Sequence, residues 1–192
     1  MTALPTWLTE QPENITASEY EAMSEEVCHR IEIIDGIAVL APAPRRPHQR
    51  ISRRLSNTFE GVCGDDFEVE TDIDLRLHDV PLLNRRPDVV IYDAGLSNDA
   101  VLRPEHCLLV MEVMSPGSET SDQVHKPGEY AAAGITHFWR VENPDDTGKN
   151  LSIFCYRLNP TTRTYVLTGE HTGKMTITDP FDISIDFDDL LH

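Results

Sequence analysis

Two carboxylates stand in otherwise apolar runs, Asp88 in Arg86-Pro-Asp88-Val-Val-Ile91 and Glu112 in Val110-Met-Glu112-Val-Met114. An acid withdrawn from water needs a partner, because burying an unpaired charge is costly. If the two runs are neighbouring strands, Asp88 and Glu112 can converge on a hard divalent cation such as magnesium, which prefers oxygen ligands and keeps several waters. The cation would relieve both the desolvation and the mutual repulsion of the pair. The competing reading is a salt bridge or an exposed edge position for each acid.

The elements around them are readable from periodicity. Val89-Val-Ile91 and Cys107 to Met114 are nearly continuous apolar runs, as expected of central strands covered on both faces. Thr16-Ala-Ser-Glu19 has the form of a capping box and opens a short helix to about Met23. Arg30 to Ile34 and Ile37 to Leu40 flank Asp35-Gly36, which supplies the positive φ angles of a tight hairpin, so Glu32 sits mid-strand. From His48 the spacing turns helical, with Ile51, Leu55 and Phe59 (or Val62) on one stripe and His48 on that inward face. Phe67 to Leu77 alternates apolar and charged residues and reads as one half-buried strand. Tyr130-Ala-Ala-Ala133 ends at Gly134, a good helix C-cap. His137 to Val141 reads as a strand, Leu151–Leu158 with Thr164–Thr168 as a hairpin, and the tail as one or two strands with acidic punctuation. Phe138 and Trp139 are expected in the core.

At 192 residues the chain is long enough for one domain with its own core. We expect an N-terminal arm over 1–26, a core over 27–142 and a C-terminal β extension over 143–192. No apolar run approaches the roughly 20 residues needed to cross a bilayer, and the start lacks a basic, apolar leader, so a cytoplasmic protein that does not engage membranes is expected. Cys28, Cys63, Cys107 and Cys155 show no CxxC or zinc spacing and read as reduced, mostly buried thiols. Motifs for phosphate loops, dinucleotide binding, serine hydrolases and HExxH zinc sites are absent. With 33 acidic and 16 basic side chains the net charge is −17, which argues against a protein that coats nucleic acid. The basic residues are nevertheless clustered: seven of the sixteen fall at Arg45, Arg46, Arg50, Arg53, Arg54, Arg85 and Arg86.

The sequence resembles the PD-(D/E)xK nuclease superfamily, and within it the Uma2 family of restriction-endonuclease-like proteins. The likeness runs through Ile15-Thr-Ala-Ser-Glu-Tyr20, Arg30-Ile-Glu32-Ile-Ile-Asp35-Gly36, Pro42 to His48 and Arg86-Pro-Asp88-Val. It continues through Glu112-Val-Met-Ser115-Pro116, Asp122, Lys126, Tyr130 and Ala133-Gly134-Ile-Thr-His-Phe-Trp139-Arg-Val. Order and spacing together make it specific. It implies an α/β, restriction-endonuclease-like mixed β-sheet flanked by helices, with a C-terminal β-hairpin extension. It further implies that Asp88 and Glu112, with the main-chain carbonyl of Val113, bind Mg2+ or Mn2+ for phosphodiester hydrolysis.

The lysine two residues after the motif glutamate is replaced by Met114, and Lys126 matches the lysine that takes over its role from the following helix. Lys126 then orients the attacking water or stabilises the phosphate; the plainer alternative is an i,i+4 ion pair with Asp122. Pro127 suits the first position of a helix and would leave Lys126 at its boundary. Glu32 matches a family glutamate that binds a second metal or the first one's water, the alternative being a strand acid that faces solvent, and His48 matches a family histidine. His48 is either a phosphate contact or proton carrier, or a satisfied core histidine. Arg45, Arg46, Arg50, Arg85 and Arg86 would line the approach for nucleic acid, with DNA expected, bound weakly and with steep salt dependence. Related nucleases pair two active sites, so a homodimer is a further expectation. The alternative to an endonuclease is a catalytically inactive protein of the same fold that binds or regulates.

Overall fold

The computed structural model describes residues 14–41, 43–114, 124–143 and 150–192. Pro42, Ser115, Pro116 and Asp122 of the pattern above lie outside these residues. Twelve strands among the described residues form three sheets. The largest has the order β10-β9-β8-β7-β6-β3, from β3 (Phe67–Glu70), β6 (Val89–Asp93), β7 (Cys107–Val113), β8 (His137–Glu142), β9 (Ser152–Asn159) and β10 (Thr164–Thr172). Its pairs are antiparallel except β7 with β8, so the sheet is mixed. The C-terminal hairpin β9–β10 extends this sheet.

A second sheet has the order β2-β1-β5-β4, from β1 (Ile31–Ile34), β2 (Ile37–Leu40), β4 (Leu75–Asp79) and β5 (Leu82–Arg85). Asp35 and Gly36 turn β1 into β2 with φ of +51° and +79°, as the Asp-Gly signal requires. The third pairs β11 (Lys174–Ile177) with β12 (Ile183–Asp186).

Apolar residues from alternate positions of β6 and β7 enter two different cores, which is why those strands carry continuous apolar sequence. On one face, Val89, Ile91, Met111 and Trp139 pack with Ile51, Leu55 and Phe59 of α3 (Arg46–Glu60). Phe59 meets Trp139 edge-on at 5.3 Å between centroids. Val62, the other candidate for that stripe, is 40% exposed beyond the helix end. On the opposite face Val90, Val110 and Phe138 pack with Tyr130 of α4 (Lys126–Ala133). The helix α1 (Ala17–Glu21) has the expected capping box on Thr16 and Glu19, and α2 (Glu25–Cys28) follows it. No helix among the described residues is long and apolar enough to cross a membrane.

Two expectations are corrected. Phe67 to Leu77 is not one strand: β3 and β4 lie in different sheets, separated by Asp72 at φ +55°. The sequence alternates across the break although the burial does not: β3 keeps one buried face, whereas Leu75, Arg76 and Leu77 of β4 are all buried, Arg76 on a salt bridge to Glu21. The carboxylates of Asp72 and Asp74 turn to Arg86. The tail contains a helix as well as strands, α5 (Phe187–Leu191), capped by the Asp186 side chain on the Asp188 N–H. Acids in the first turn of a helix suit its positive end. Arg50 and Arg54 of α3 donate to the main-chain carbonyls of Leu191 and Asp189, so part of the arginine cluster fastens α5.

The four cysteines are free thiols, and Cys63, Cys107 and Cys155 are buried. Burial pushes the Cys107 and Cys155 thiols up to about 12, which keeps them protonated and unreactive. Gly134 ends α4 in the left-handed region at φ +96°. A side chain there is strained, so Gly134→Ala is expected to lower stability by about 1–2 kcal/mol, read as a shift of the denaturant midpoint with unchanged slope.

Candidate active site

The β6–β7 register pairs Val89 with Met111 and Val90 with Val110. Continuing it by one residue brings Asp88 beside Glu112, each just beyond the central apolar pairs. Both acids line a cavity of about 670 Å³ together with Glu32, His48, Val113 and Lys126. The structure therefore gathers all six residues expected to hold the cation or assist it.

Glu112 is 1% exposed, and two donors from one helix satisfy it. Lys126 Nζ lies 3.0 Å from Oε2, and Tyr130 donates its hydroxyl to Oε1 at 2.7 Å. Lys126 and Tyr130 are four residues apart, hence on one face of α4. The helix begins at Lys126 with Pro127 in its second position, so the proline costs no helical hydrogen bond. Burial and the carboxylates of Glu112 and Glu32 hold the Tyr130 phenol well above its usual range, so it is a donor and not a base. The i,i+4 partner considered for Lys126, Asp122, lies outside the described residues. Lys126 also reaches a second carboxylate, Glu32 Oε1, at 3.4 Å.

Asp88 accepts the main-chain N–H of Val113 at 2.6 Å and faces His48 Nε2 at 3.0 Å, both through Oδ2. Its side chain remains one-fifth exposed on the cavity wall. His48 sits in the first turn of α3, and Ser52 one turn on donates to its carbonyl. The histidine is thus both largely enclosed and in contact with a site acid.

Behind these groups lies an ion network. Arg85, 1% exposed, donates to Glu129 through Nε and Nη2 and to Glu32 through Nη1, at 2.6–2.8 Å. Burial alone would lower the Arg85 pKa, but the Glu129 hydrogen bonds and the Glu32 charge outweigh it and raise the value. Arg86 contacts Asp72, Asp74 and His29, and its main-chain N–H reaches Glu32.

The five arginines expected to line the approach therefore divide. Arg85 turns inward and is enclosed by carboxylates. Arg86 borders the cavity but is engaged by Asp72 and Asp74. Arg45 is exposed at the N-cap of α3, and Arg46 and Arg50 line a shallow neighbouring hollow with Arg53, which also borders the main cavity. Glu129 and Tyr130 are the residues that sequence reasoning did not assign. The available signal was spacing, since Lys126 and Tyr130 share a helix face.

The donor set suits a hard cation. Glu32, Glu112 and Glu129 face Arg85 and Lys126 while Asp88 faces His48, leaving an excess of negative charge that Arg86 with Asp72 and Asp74 enlarges. No group of three or more His, Cys, Asp or Glu side chains among the described residues is arranged to hold an ion alone. Magnesium does not require one, being commonly bound by one or two carboxylates plus water and substrate oxygens.

Tyr130→Phe tests the grip on Glu112. Removing a donor to a charged acceptor is expected to cost about 1.5–3 kcal/mol, measured by chemical denaturation.

A model of the Uma2 family, described as "putative restriction endonuclease", matches residues 17–187. Among solved structures the chain is similar to a "putative nuclease belonging to DUF820" from Anabaena variabilis ATCC 29413. The two are 15% identical with a TM-score of 0.65, over 92% of this chain and 97% of that one. At this identity the likeness is one of fold, and it agrees with the restriction-endonuclease-like mixed sheet described above. No curated protein matches the chain. With the family match spanning nearly all of its length, this chain belongs to the Uma2 family.

Proposed function

We propose that this protein is a divalent-metal-dependent endonuclease that hydrolyses phosphodiester bonds in nucleic acid, DNA being the expected substrate. The observation that carries the reading is the meeting of Asp88, Glu112, Lys126, His48 and Glu32 around one cavity. Asp88, Glu112 and the Val113 carbonyl would hold Mg2+ or Mn2+. Such a cation polarises a phosphate oxygen and lowers the pKa of a bound water.

The chain's own groups have separable tasks. Glu112 is fixed by Tyr130, and Lys126 is fixed between Glu112 and Glu32, so its ammonium stands ready to donate to a phosphate oxygen or to the attacking water. His48 Nε2 holds Asp88 in place and, when protonated, adds a positive charge beside the phosphate. Glu32 and Glu129 are themselves anchored by Arg85, which makes the base of the site rigid. The exposed Arg45, Arg46 and Arg50 would contribute weak, salt-sensitive contacts to the backbone of the nucleic acid. A homodimer with two such sites would allow cuts in both strands.

A second reading is a non-catalytic binding or regulatory protein; the replacement of the usual lysine by Met114 favours it. Incubating supercoiled plasmid and single-stranded DNA with purified protein, Mg2+ or Mn2+ and low salt separates the two. Cleavage by the wild type and none by Glu112→Ala supports the endonuclease. A wild type that leaves all substrates intact, or a mutant that cuts equally well, moves the binding protein ahead.

A further inference from the structure

From the structure we infer a nucleotide-binding pocket beside the candidate active site that accepts an unpaired base of the substrate strand; this rests on the nuclease reading above. The β7–β8 register sets Glu112 next to Arg140, and the β8–β9 register sets Arg140 next to Phe154. A row therefore runs across the sheet from a site carboxylate to a cation to an aromatic ring. Arg140, in the middle of this row, also lines a cavity of about 250 Å³ against the first turn of α4, together with Pro127, Phe138, Tyr156, Arg163 and Tyr165.

The rings are prepared for stacking. Phe138 lies against Tyr165 and Tyr156 at 5.4 and 5.7 Å between centroids, and Tyr165 is held by its hydroxyl donating to the Ile135 carbonyl. The Tyr156 and Tyr165 side chains are half-buried, so each keeps an accessible part. The Arg140 guanidinium stands 4.7 Å over the Phe154 ring and 5.7 Å from that of Tyr156, and is paired with Glu142 at 2.9 Å. Arg163 is exposed on the β9–β10 turn and has no ion-pair partner among the described residues. In a chain of net charge −17, an uncompensated guanidinium beside aromatic rings is a distinctive pairing.

Its chemistry selects the ligand. Aromatic rings with arginines bind single-stranded nucleic acid because every base has a π-face and every nucleotide a phosphate. The cavity falls just below the about 300–1,000 Å³ of drug-sized sites, which suits one planar heterocycle. A base paired and stacked inside a duplex cannot enter it, so the pocket favours single strands or locally opened ones.

The test is fluorescence anisotropy of a labelled 12-residue oligothymidylate and of a blunt 12-base-pair duplex, at low salt without divalent metal. The wild type is expected to prefer the single strand. Arg163→Glu and Tyr156→Ala are each expected to weaken single-strand binding about tenfold, while Tyr156→Phe, which keeps the ring, does not. Duplex binding should change little in Tyr156→Ala, a split that general loss of structure would not produce. Arg163 is exposed on a turn, and its variant is expected to keep the wild-type melting temperature. If the wild type shows no single-strand preference, or if Arg163→Glu binds the single strand as the wild type does, the pocket is overturned. Parallel cleavage assays keep the two ideas apart. Activity that depends on Glu112 but is indifferent to Arg163 and Tyr156 removes the pocket alone, and variant-sensitive binding without any cleavage removes the catalytic reading alone.

Discussion

Glu112→Gln is expected to reduce metal-dependent cleavage at least about 100-fold. Losing even an outer partner of a metal ligand commonly costs 10–100-fold, and Glu112 is proposed as a direct ligand, so that range sets the lower bound. The amide conserves shape and can still accept the Tyr130 hydroxyl, so the helix α4 keeps one of its two holds on the sheet. What it loses is the charge that faces Lys126 and would face the cation. A second readout does not depend on activity. A cation that binds only the folded state raises the melting temperature, by the equivalent of about 2.7 kcal/mol when its concentration is 100 times Kd. Added Mg2+ or Mn2+ should stabilise the wild type and leave Glu112→Gln almost unmoved. Equal cleavage and an equal metal-induced shift in both proteins would show that this carboxylate takes no part in the chemistry.

The same excess of negative charge gives the proposed cation a second task, toward a phosphate substrate. Glu32, Asp88 and Glu112 border the cavity and disfavour a phosphate there; the two positive charges of the proposed cation would offset most of that excess. Net charge alone therefore did not exclude a polyanionic substrate, and the uneven placement of the arginines was only part of the answer. Arg50 and Arg54 prove to fasten α5, and Arg85 to fasten two carboxylates, whereas Arg140 and Arg163, given no role from the sequence, flank a pocket.

Legibility followed the range of the signal. The Thr16 capping box, the Asp35-Gly36 turn and the Ile51, Leu55 and Phe59 stripe depend on residues a few positions apart, and each was readable. Continuous apolar sequence in β6 and β7 marked strands covered on both faces, and that made Asp88 and Glu112 conspicuous. The break at Asp72 was hidden because alternation reports which face a residue occupies, not which sheet its strand joins. β5 was hidden for a different reason. Leu82-Leu-Asn-Arg85 and the Arg86 after it look like the edge of a polar loop, and only Glu32, Glu129, Asp72 and Asp74, distant in sequence or on other elements, make their burial possible. Lys126 was identified by position in a family pattern, but its two carboxylate partners required the fold.

Arg85→Met is expected to destabilise the protein by about 3–5 kcal/mol, the usual cost of removing one partner from a buried ion network. Methionine replaces the apolar stem but not the guanidinium, so Glu129 loses two hydrogen bonds and Glu32 one. Glu32 keeps Lys126 at 3.4 Å, but that ammonium is already shared with Glu112. For a chain of this size each kcal/mol moves the melting temperature by about 2–4 °C, so a fall of about 6–20 °C is expected in calorimetry. A loss of this size is a large fraction of the about 5–15 kcal/mol that holds a typical domain folded. The triple variant Arg85→Met, Glu32→Gln, Glu129→Gln distinguishes an orphaned charge from lost packing. If the penalty comes from carboxylates left without a cation, neutralising them should recover much of the stability, because replacing a whole buried network costs far less than breaking it. If the triple variant is less stable than the single one, the arginine's contribution is steric and the network is not what holds α4 to β1 and β5. Cleavage by the single variant Arg85→Met that is reduced at a temperature where it remains folded would place Arg85 as a positioning residue, acting on the reacting groups through Glu32 and Lys126.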